Sequence, residues 1–446
     1  MNIIIPKDVE KIIEHLNSAG YEAYVVSGCV RDSIMEKTPH DWDICTSATP
    51  EVVKSLFSHT TDYGMKHGTI TVFADKEGYE ITTFRAETDY SDHRHPDTVE
   101  FVADLKSDLS RRDFTINALA YNNESQLIDM FNGLDDIRNQ MIRCVGNADG
   151  RFKEDALRIL RALRFAATLG FDIEDKTSEA IHYNVHLLKY IAEERKRDEL
   201  MKLLGGNYTT KILLEYSDVI AEVIPEIQLC VGFNQNNRYH CYDVYEHMVH
   251  AVENGITPIE KFALLIHDIG KPHCYTEDKK GGHFYGHPAI SEEIAKDVVN
   301  HLKFDNDSKK AVLELVKYHD IEIPVTKKSV LKLLNRLGEE RTLQLMDVKL
   351  ADILAHAPGT QDALIEKWKI FNRLLGEVLA EGNCFSRKNL AVNGNDIKTL
   401  GISEGPEIGR IIQTLMGEVM SEQLANEKEV LLNRANELKE RRDLND

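Results

Sequence analysis

The chain has 446 residues, roughly three domains' worth, and 42% of them are hydrophobic. With 29% charged residues scattered among the apolar ones, these figures exclude a disordered or a fibrous chain. The 54 Lys and Arg stand against 74 Asp and Glu, and the net charge of −20 repels nucleic acid unless positive charge is gathered locally.

The 7 cysteines include no C-x-x-C pair. They read as reduced thiols, not as a disulfide framework or a zinc ribbon. No apolar run approaches the roughly 18 residues that span a membrane. The opening MNIIIPKDVEKII lacks the basic and long apolar regions of a secretory signal. The expectation is a soluble, cytoplasmic, multidomain chain with no membrane partner.

In chain order, Val9, Ile12, Ile13 and Leu16 recur at helical spacing and predict a helix over 7–19, ended by Gly20. Strand-type runs follow at Tyr24–Val26, Trp42–Ile44, Thr69–Phe73 and Tyr79–Phe84. Mixed strands and helices over about 1–140 predict an α+β domain. From about 150 onward the pattern is helical almost throughout, without a fixed-period repeat. The charged end NELKERRDLND reads as a solvated helix.

Three segments of the first half carry chemistry. SGCVRD at 27–32 is followed by DWD at 41–43. On a strand, Asp41 and Asp43 point to the same side. Two carboxylates so close repel unless a cation sits between them, and Mg²⁺ takes oxygen ligands together with substrate phosphates. Paired metals stabilise the attacking and leaving oxygens of an in-line displacement. Glu80 can join as a third acid from a neighbouring strand. Gly28 lets backbone approach a phosphate, and Arg31 adds charge beside it. In RRDFTINALAY at 111–121, Arg112 can hold triphosphate oxygens and Asp113 can accept from a ribose hydroxyl. In EDALRILRALRF, Asp155, Arg158, Arg161 and Arg164 fall at three-residue steps on one helix face. An Asp–Arg pair there offers the donors and acceptors that a base edge requires.

Taken in this order, SGCVRD with DWDICTSATP, RRDFTINALAY, LIDMFNGLDDIRNQMIRCVG, EDALRILRALRF and EERKRDELMKLL resemble the class II tRNA nucleotidyltransferases. These are the bacterial CCA-adding enzymes and poly(A) polymerases. The likeness covers nearly all of residues 20–205. It implies that Asp41 and Asp43 bind the catalytic Mg²⁺ ions and that Gly28 and Arg31 meet the triphosphate. It further implies that Arg112, Asp113 and Asn117 hold phosphate and ribose. Asp155 and Arg158 would select CTP or ATP, supported by Arg161 and Arg164, for addition to tRNA without a template. The family usually reads Gly-Gly where this chain has Ser27-Gly28, which puts the local turn in question. The polar stretch RAETDYSDHRHPDTVEF at 85–101 reads as a mobile loop. It resembles the loop with which the family switches from C to A addition.

A second constellation lies in residues 240–352: His247 on a helix, His267-Asp268 behind an apolar run, then His287, His319 and Asp352. Imidazole with carboxylate suits a divalent transition metal, and a metal-bound water attacks phosphoesters. The segment resembles the HD phosphohydrolases. That likeness implies His247, His267, Asp268 and Asp352 as core ligands and His287 and His319 as a second-metal set. It also implies 2′,3′-cyclic phosphates or 2′-nucleotides as substrates. Lys271 is either a phosphate partner or a solvated residue.

In the tail, Gly405-Pro406 opens a helix whose first turn could hold a tRNA phosphate. Lys327, Lys328, Lys332 and Arg336 form a basic patch on the otherwise acidic chain. The expected architecture is a nucleotidyltransferase head over 1–145, a helical neck over 146–230, an HD domain over 231–360 and a helical tail over 361–446. The rivals to CCA addition are a poly(A) polymerase, an HD phosphohydrolase with an RNA-binding head, and a non-catalytic RNA-binding scaffold. No obligate protein partner is called for.

Overall fold

The computed structural model describes residues 3–65, 68–74, 77–88, 98–102, 104–279, 281–381, 389–402, 405–420 and 423–443. The chain divides into two compact units, Met1–Gln228 and Leu229–Asp446. Among the described residues no helix is long and apolar enough to cross a membrane.

The first unit is built on a mixed sheet of β1 (Ala23–Val26), β2 (Ile44–Thr46), β3 (Thr60–Thr61), β4 (Thr69–Ala74), β5 (Glu77–Thr83), β8 (Leu119–Asn122) and β9 (Gln126–Asp129), with β6 (Arg85–Thr88) and β7 (Thr98–Phe101) paired apart from it. The strand order is β3-β4-β5-β2-β1-β8-β9, and only the β2–β5 pair is parallel. Every residue of β1 is buried, so both faces of the sheet centre are covered. On one face Tyr24, Val26, Cys45 and Phe84 pack with Leu105 and Leu109 of the helix Leu105–Ser110. The opening helix runs Lys7–Ser18 and buries the four expected apolar residues. Gly20 stops it at φ +88, a left-handed value that suits glycine.

Two expectations for strands and loops need correction. The strand foreseen at Trp42–Ile44 is Ile44–Thr46, so Asp41 and Asp43 precede it. Only one ladder bond reaches back that far, from Val26 N–H to the Asp43 carbonyl at 3.0 Å. The polar stretch 85–101 is not loop at its ends. Arg85–Thr88 pairs antiparallel with Thr98–Phe101 in the register Arg85↔Phe101, because backbone pairing satisfies groups that a polar segment would otherwise leave to water. Its middle, residues 89–97, lies outside the described residues.

The rest of the first unit and nearly all of the second are helical, apart from two short strand pairs. At the centre of the second unit lies the helix Pro258–Ile266, whose Phe262 through Ile266 are fully buried. The tail packs its own core, in which Ile397, Leu415, Leu431 and Ala435 are buried together.

Candidate functional site

The first group of polar residues gathers at the lip where β1 ends and β2 begins, beside the middle of β5. The parallel register Ile44↔Ile81 sets Asp43 beside Glu80, one residue earlier on each chain. Asp43 keeps access to solvent, but the protein packed around it desolvates the carboxyl and pushes its pKa up; Arg112 opposes this, while Glu80 and Asp41 reinforce it. Carboxylates crowded at one edge repel one another, a repulsion that a cation would relieve. The carboxylates remain exposed at the surface and are not drawn into a closed ligand set. Among the described residues, the groups whose ligand atoms lie within 4.8 Å of one another all belong to the second unit.

Ser27 joins β1 to the helix Gly28–Ile34 at φ 69 and ψ −124, a conformation glycine adopts far more readily. Arg31 is buried and donates to Asp32 at 2.7 Å and to the Asn117 amide oxygen at 2.7 Å. Asn117 donates in turn to Asp113 at 3.1 Å, and Asp113 takes two further bonds from Arg161, at 2.8 and 2.6 Å. Burial pushes the Asp113 carboxyl up, but Arg161 and Asn117 prevail and hold it down at about 2. Arg112 bonds Asp108 at 3.0 Å, while its Nε is buried without a partner.

The helix face expected to carry four aligned residues is divided. Its helix is Leu157–Leu169, so Asp155 lies before it and accepts from Leu157 N–H at 3.0 Å. Asp155 also pairs with Arg195 at 3.3 Å. Arg158 turns toward Glu154 at 2.6 Å and the Arg111 carbonyl at 2.8 Å, and Arg164 pairs with Glu199 at 3.1 Å. The sequence spacing assumed a continuous helix from Asp155; the break at Asp155–Ala156 undoes it. Missed altogether was Phe165, whose ring carries the guanidinium groups of Arg164, Arg31 and Arg161 at 4.2, 5.2 and 5.5 Å. The RF step of the motif was the available signal.

In the second unit, helix caps set the geometry. Asp243 and Glu246 form a capping box that starts the helix Val244–Glu253, placing His247 one turn in. Thr257 and Glu260 do the same for Pro258–Ile266, whose end delivers His267 and Asp268. A Cβ on Gly270 would stand 2.6 Å from the Ser291 backbone nitrogen, so glycine there lets the His267-Asp268 turn meet the helix His287–His301. His247, His267, Asp268 and Asp352 form one group of potential metal ligands, and Asp268, His287 and His319 another. His247 Nε2 lies 3.0 Å from Asp352 and 3.3 Å from Asp268, and His287 Nε2 lies 3.2 Å from Asp268.

All four imidazoles turn Nδ1 to a backbone carbonyl: His247 to Ala355, His267 to Leu264, His287 to Phe284 and His319 to Val316. That contact fixes the tautomer and directs the Nε2 lone pair inward, as in metal-ligating histidines. His267 Nε2 and Asp268 Oδ1 are buried without a hydrogen-bond partner, while Asp268 Oδ2 has Lys271 Nζ at 2.6 Å. Unprotonated His267 sets its Nε2 lone pair against Asp268 and Asp352, an opposition that either a proton on the ring or a metal cation relieves. Burial pulls the His267 imidazolium down, yet Asp268 and Asp352 override it and hold its pKa up to about 10. Lys271 is neither solvated nor free: it is buried, 2.6 Å from Asp268 and 2.8 Å from the Gln235 amide oxygen. Sequence reading also passed over His240 and His356, which form a third group with His247. A cavity of about 970 Å³ opens over this floor.

The mixed sheet with acids at its lip defines a nucleotidyltransferase of the polymerase type. Family models agree, with the Poly A polymerase head domain over residues 23–143, the RNA and SrmB-binding site of polymerase A over 170–230, and tRNA nucleotidyltransferase domain 2 over 284–435. The CCA-adding enzyme of Ligilactobacillus salivarius is 34% identical over 451 aligned positions, 98% of each chain. That of Leuconostoc citreum is 53% identical over 204 residues, 46% of this chain and 51% of that one. The Bacillus stearothermophilus CCA-adding enzyme in complex with CTP superposes with a TM-score of 0.74 at 30% identity, over 99% of this chain and 100% of that one. The chain belongs to the family of CCA-adding enzymes.

Proposed function

We propose that this chain builds or repairs the 3′-terminal CCA of tRNA from CTP and ATP, without a nucleic-acid template, in the cytoplasm. Full-length likeness to CCA-adding enzymes carries this reading, and the poly(A) polymerase rival is not favoured. Asp41, Asp43 and Glu80 would hold Mg²⁺, which supplies charge neutralisation at the α-phosphate. The chain's own residues do the rest. Gly28 and Arg31 meet the triphosphate, and Arg112 faces the same anion from behind Asp43. Asn117 and Asp113 brace Arg31 and Arg161, so that the cationic groups keep their places when the nucleotide leaves. Asp155 and Arg158 select the base once the nucleotide draws Arg158 from Glu154, and Arg164 supports them. The basic patch Lys328, Lys332 and Arg336, exposed at four-residue steps, and the helix opened by Pro406 are the tRNA-binding candidates. We read the chain as head 1–145, neck 146–230, HD domain 231–360 and tail 361–446. The deciding assay offers tRNA lacking CCA with CTP and ATP, separately and together. Addition of two C and one A supports the reading; long ATP-only extension sinks it.

A second reading rests on the converging imidazoles of the second unit. His247, His267, Asp268 and Asp352, with His287 and His319, would hold one or two divalent transition metals that activate water against phosphoesters at RNA ends. Loading with Mn²⁺ and offering a 2′,3′-cyclic nucleotide tests it. Cleavage that survives Asp268→Ala would count against it.

A further inference from the structure

His240 and His356 stand in the wall of the 970 Å³ cavity, above the ligand groups just described. Their rings meet edge to face, with centroids 4.9 Å apart, and the His240 ring lies 4.6 Å from that of His247. His356 Nε2 lies 3.8 Å from Asp352 Oδ1. Both rings keep Nδ1 buried and without a hydrogen-bond partner. Those atoms are closed off from the cavity, so an occupant can meet only the other ring nitrogen, Nε2, of each histidine.

Two occupants are conceivable, a third cation or an anion. The ligand atoms of His240, His247 and His356 lie within 4.8 Å of one another, a span that either could fill. Two facts decide for the anion. First, His247 Nε2 already faces Asp352 and Asp268, and its Nδ1 faces the Ala355 carbonyl, so it has no nitrogen left for a third metal. Second, two dications over Asp268, Asp352 and Lys271 already bring the floor to about plus three by formal count, and a third would raise that further in a poorly solvated site. An anion lowers it. Each imidazole, protonated at Nε2, carries an N–H to offer.

We propose that His240 and His356 contact the phosphoryl oxygens of a phosphate ester held over the second unit's metal ligands, and do not themselves ligate a cation. This role rests on the metal-centre reading above. It assigns a phosphate-recognising wall to a cavity whose floor activates water. The two histidines then bind and orient the ester, while His247, His267, His287 and His319 stay with the metal.

The test uses the full, untagged chain loaded with Mn²⁺, beside His240→Phe, His356→Phe and the double variant, which keep the ring without its nitrogens. Elemental analysis reads Mn²⁺ per chain, and calorimetry with inorganic phosphate reads anion affinity. The expected result is unchanged Mn²⁺ content and phosphate affinity lowered roughly tenfold by each substitution. His240→Gln and His356→Gln, which return an amide N–H near the Nε2 position, should recover part of that loss and so separate it from misfolding. Loss of Mn²⁺ in the Phe variants makes the two rings ligands and overturns the proposal. So does unchanged phosphate affinity in the double variant, or a wild-type chain that holds Mn²⁺ yet ignores phosphate. A wild-type chain that retains no Mn²⁺ removes the metal centre itself, and this role with it.

Discussion

In the first unit the acids lie exposed at a sheet lip while the arginines around them are tied into buried pairs. In the second the acids are the buried partners, ringed by imidazoles that all turn the same nitrogen inward. The contrast separates two ways of keeping a cation. An open lip with like charges crowding Asp43 would hold metal weakly alone and strongly once a triphosphate adds its own oxygens. A largely buried set with fixed tautomers would hold its ion before any substrate arrives. The first suits an ion that comes and goes with each nucleotide; the second suits a resident one.

Breaking the acid lip should produce the largest effect. Asp41→Ala or Asp43→Ala is expected to lower CTP and ATP incorporation into tRNA roughly a thousandfold or more, since several kcal/mol of charge stabilisation disappear. Radiolabelled nucleotide incorporation measures it, and near-normal turnover by either variant would remove the lip from the chemistry. Chelation sharpens the same contrast. Brief EDTA treatment should abolish extension until Mg²⁺ returns, while elemental analysis still finds metal in a Mn²⁺-loaded chain. Equal loss from both places would erase the distinction.

Smaller effects should follow from the supports. Asp113→Asn removes the anion that anchors Arg161 and accepts from Asn117. Its folded pKa of about 2 lies below the ordinary carboxylate value of about 4, so the charged form is the favoured one in the fold. That stability is fully present above the unfolded value and vanishes as pH falls through the folded one. Denaturant titrations should show a deficit of about 2 kcal/mol at neutral pH that closes between about pH 4 and pH 2. A gap independent of pH would point to packing instead. Gly270→Ala should cost about 1–3 kcal/mol and lower metal content, because its methyl meets backbone and not a yielding side chain. The mildest expectation concerns Lys328→Ala with Lys332→Ala: tRNA affinity falls, and its slope against log salt drops by about one for each phosphate that a lysine no longer neutralises. An unaltered slope would place the tRNA elsewhere.

Much of this was written locally. The Lys7–Ser18 helix, the β4 and β5 strands and the spacing of His247, His267-Asp268, His287, His319 and Asp352 follow from periodicity and residue type, since each of these last residues sits on or beside a helix, and those of His247 and His267-Asp268 carry their own capping boxes. What stayed hidden depends on partners distant in sequence. Asp155 meets Arg195 across 40 positions, and Arg31 reaches Asn117 across 86. Lys271 looks solvated until Gln235 and Asp268 close over it. The helix break after Glu154 had no Gly or Pro to mark it, so the four-residue face looked continuous.

The turn at Ser27 carries a further consequence. A residue with a side chain is kept at a dihedral pair that glycine would occupy at ease, immediately before the helix Gly28–Ile34. A single change to glycine would ease that turn without touching the acids or arginines nearby. Ser27→Gly is therefore expected to raise the melting temperature of the chain, a gain reached by relaxing one strained joint without adding any contact.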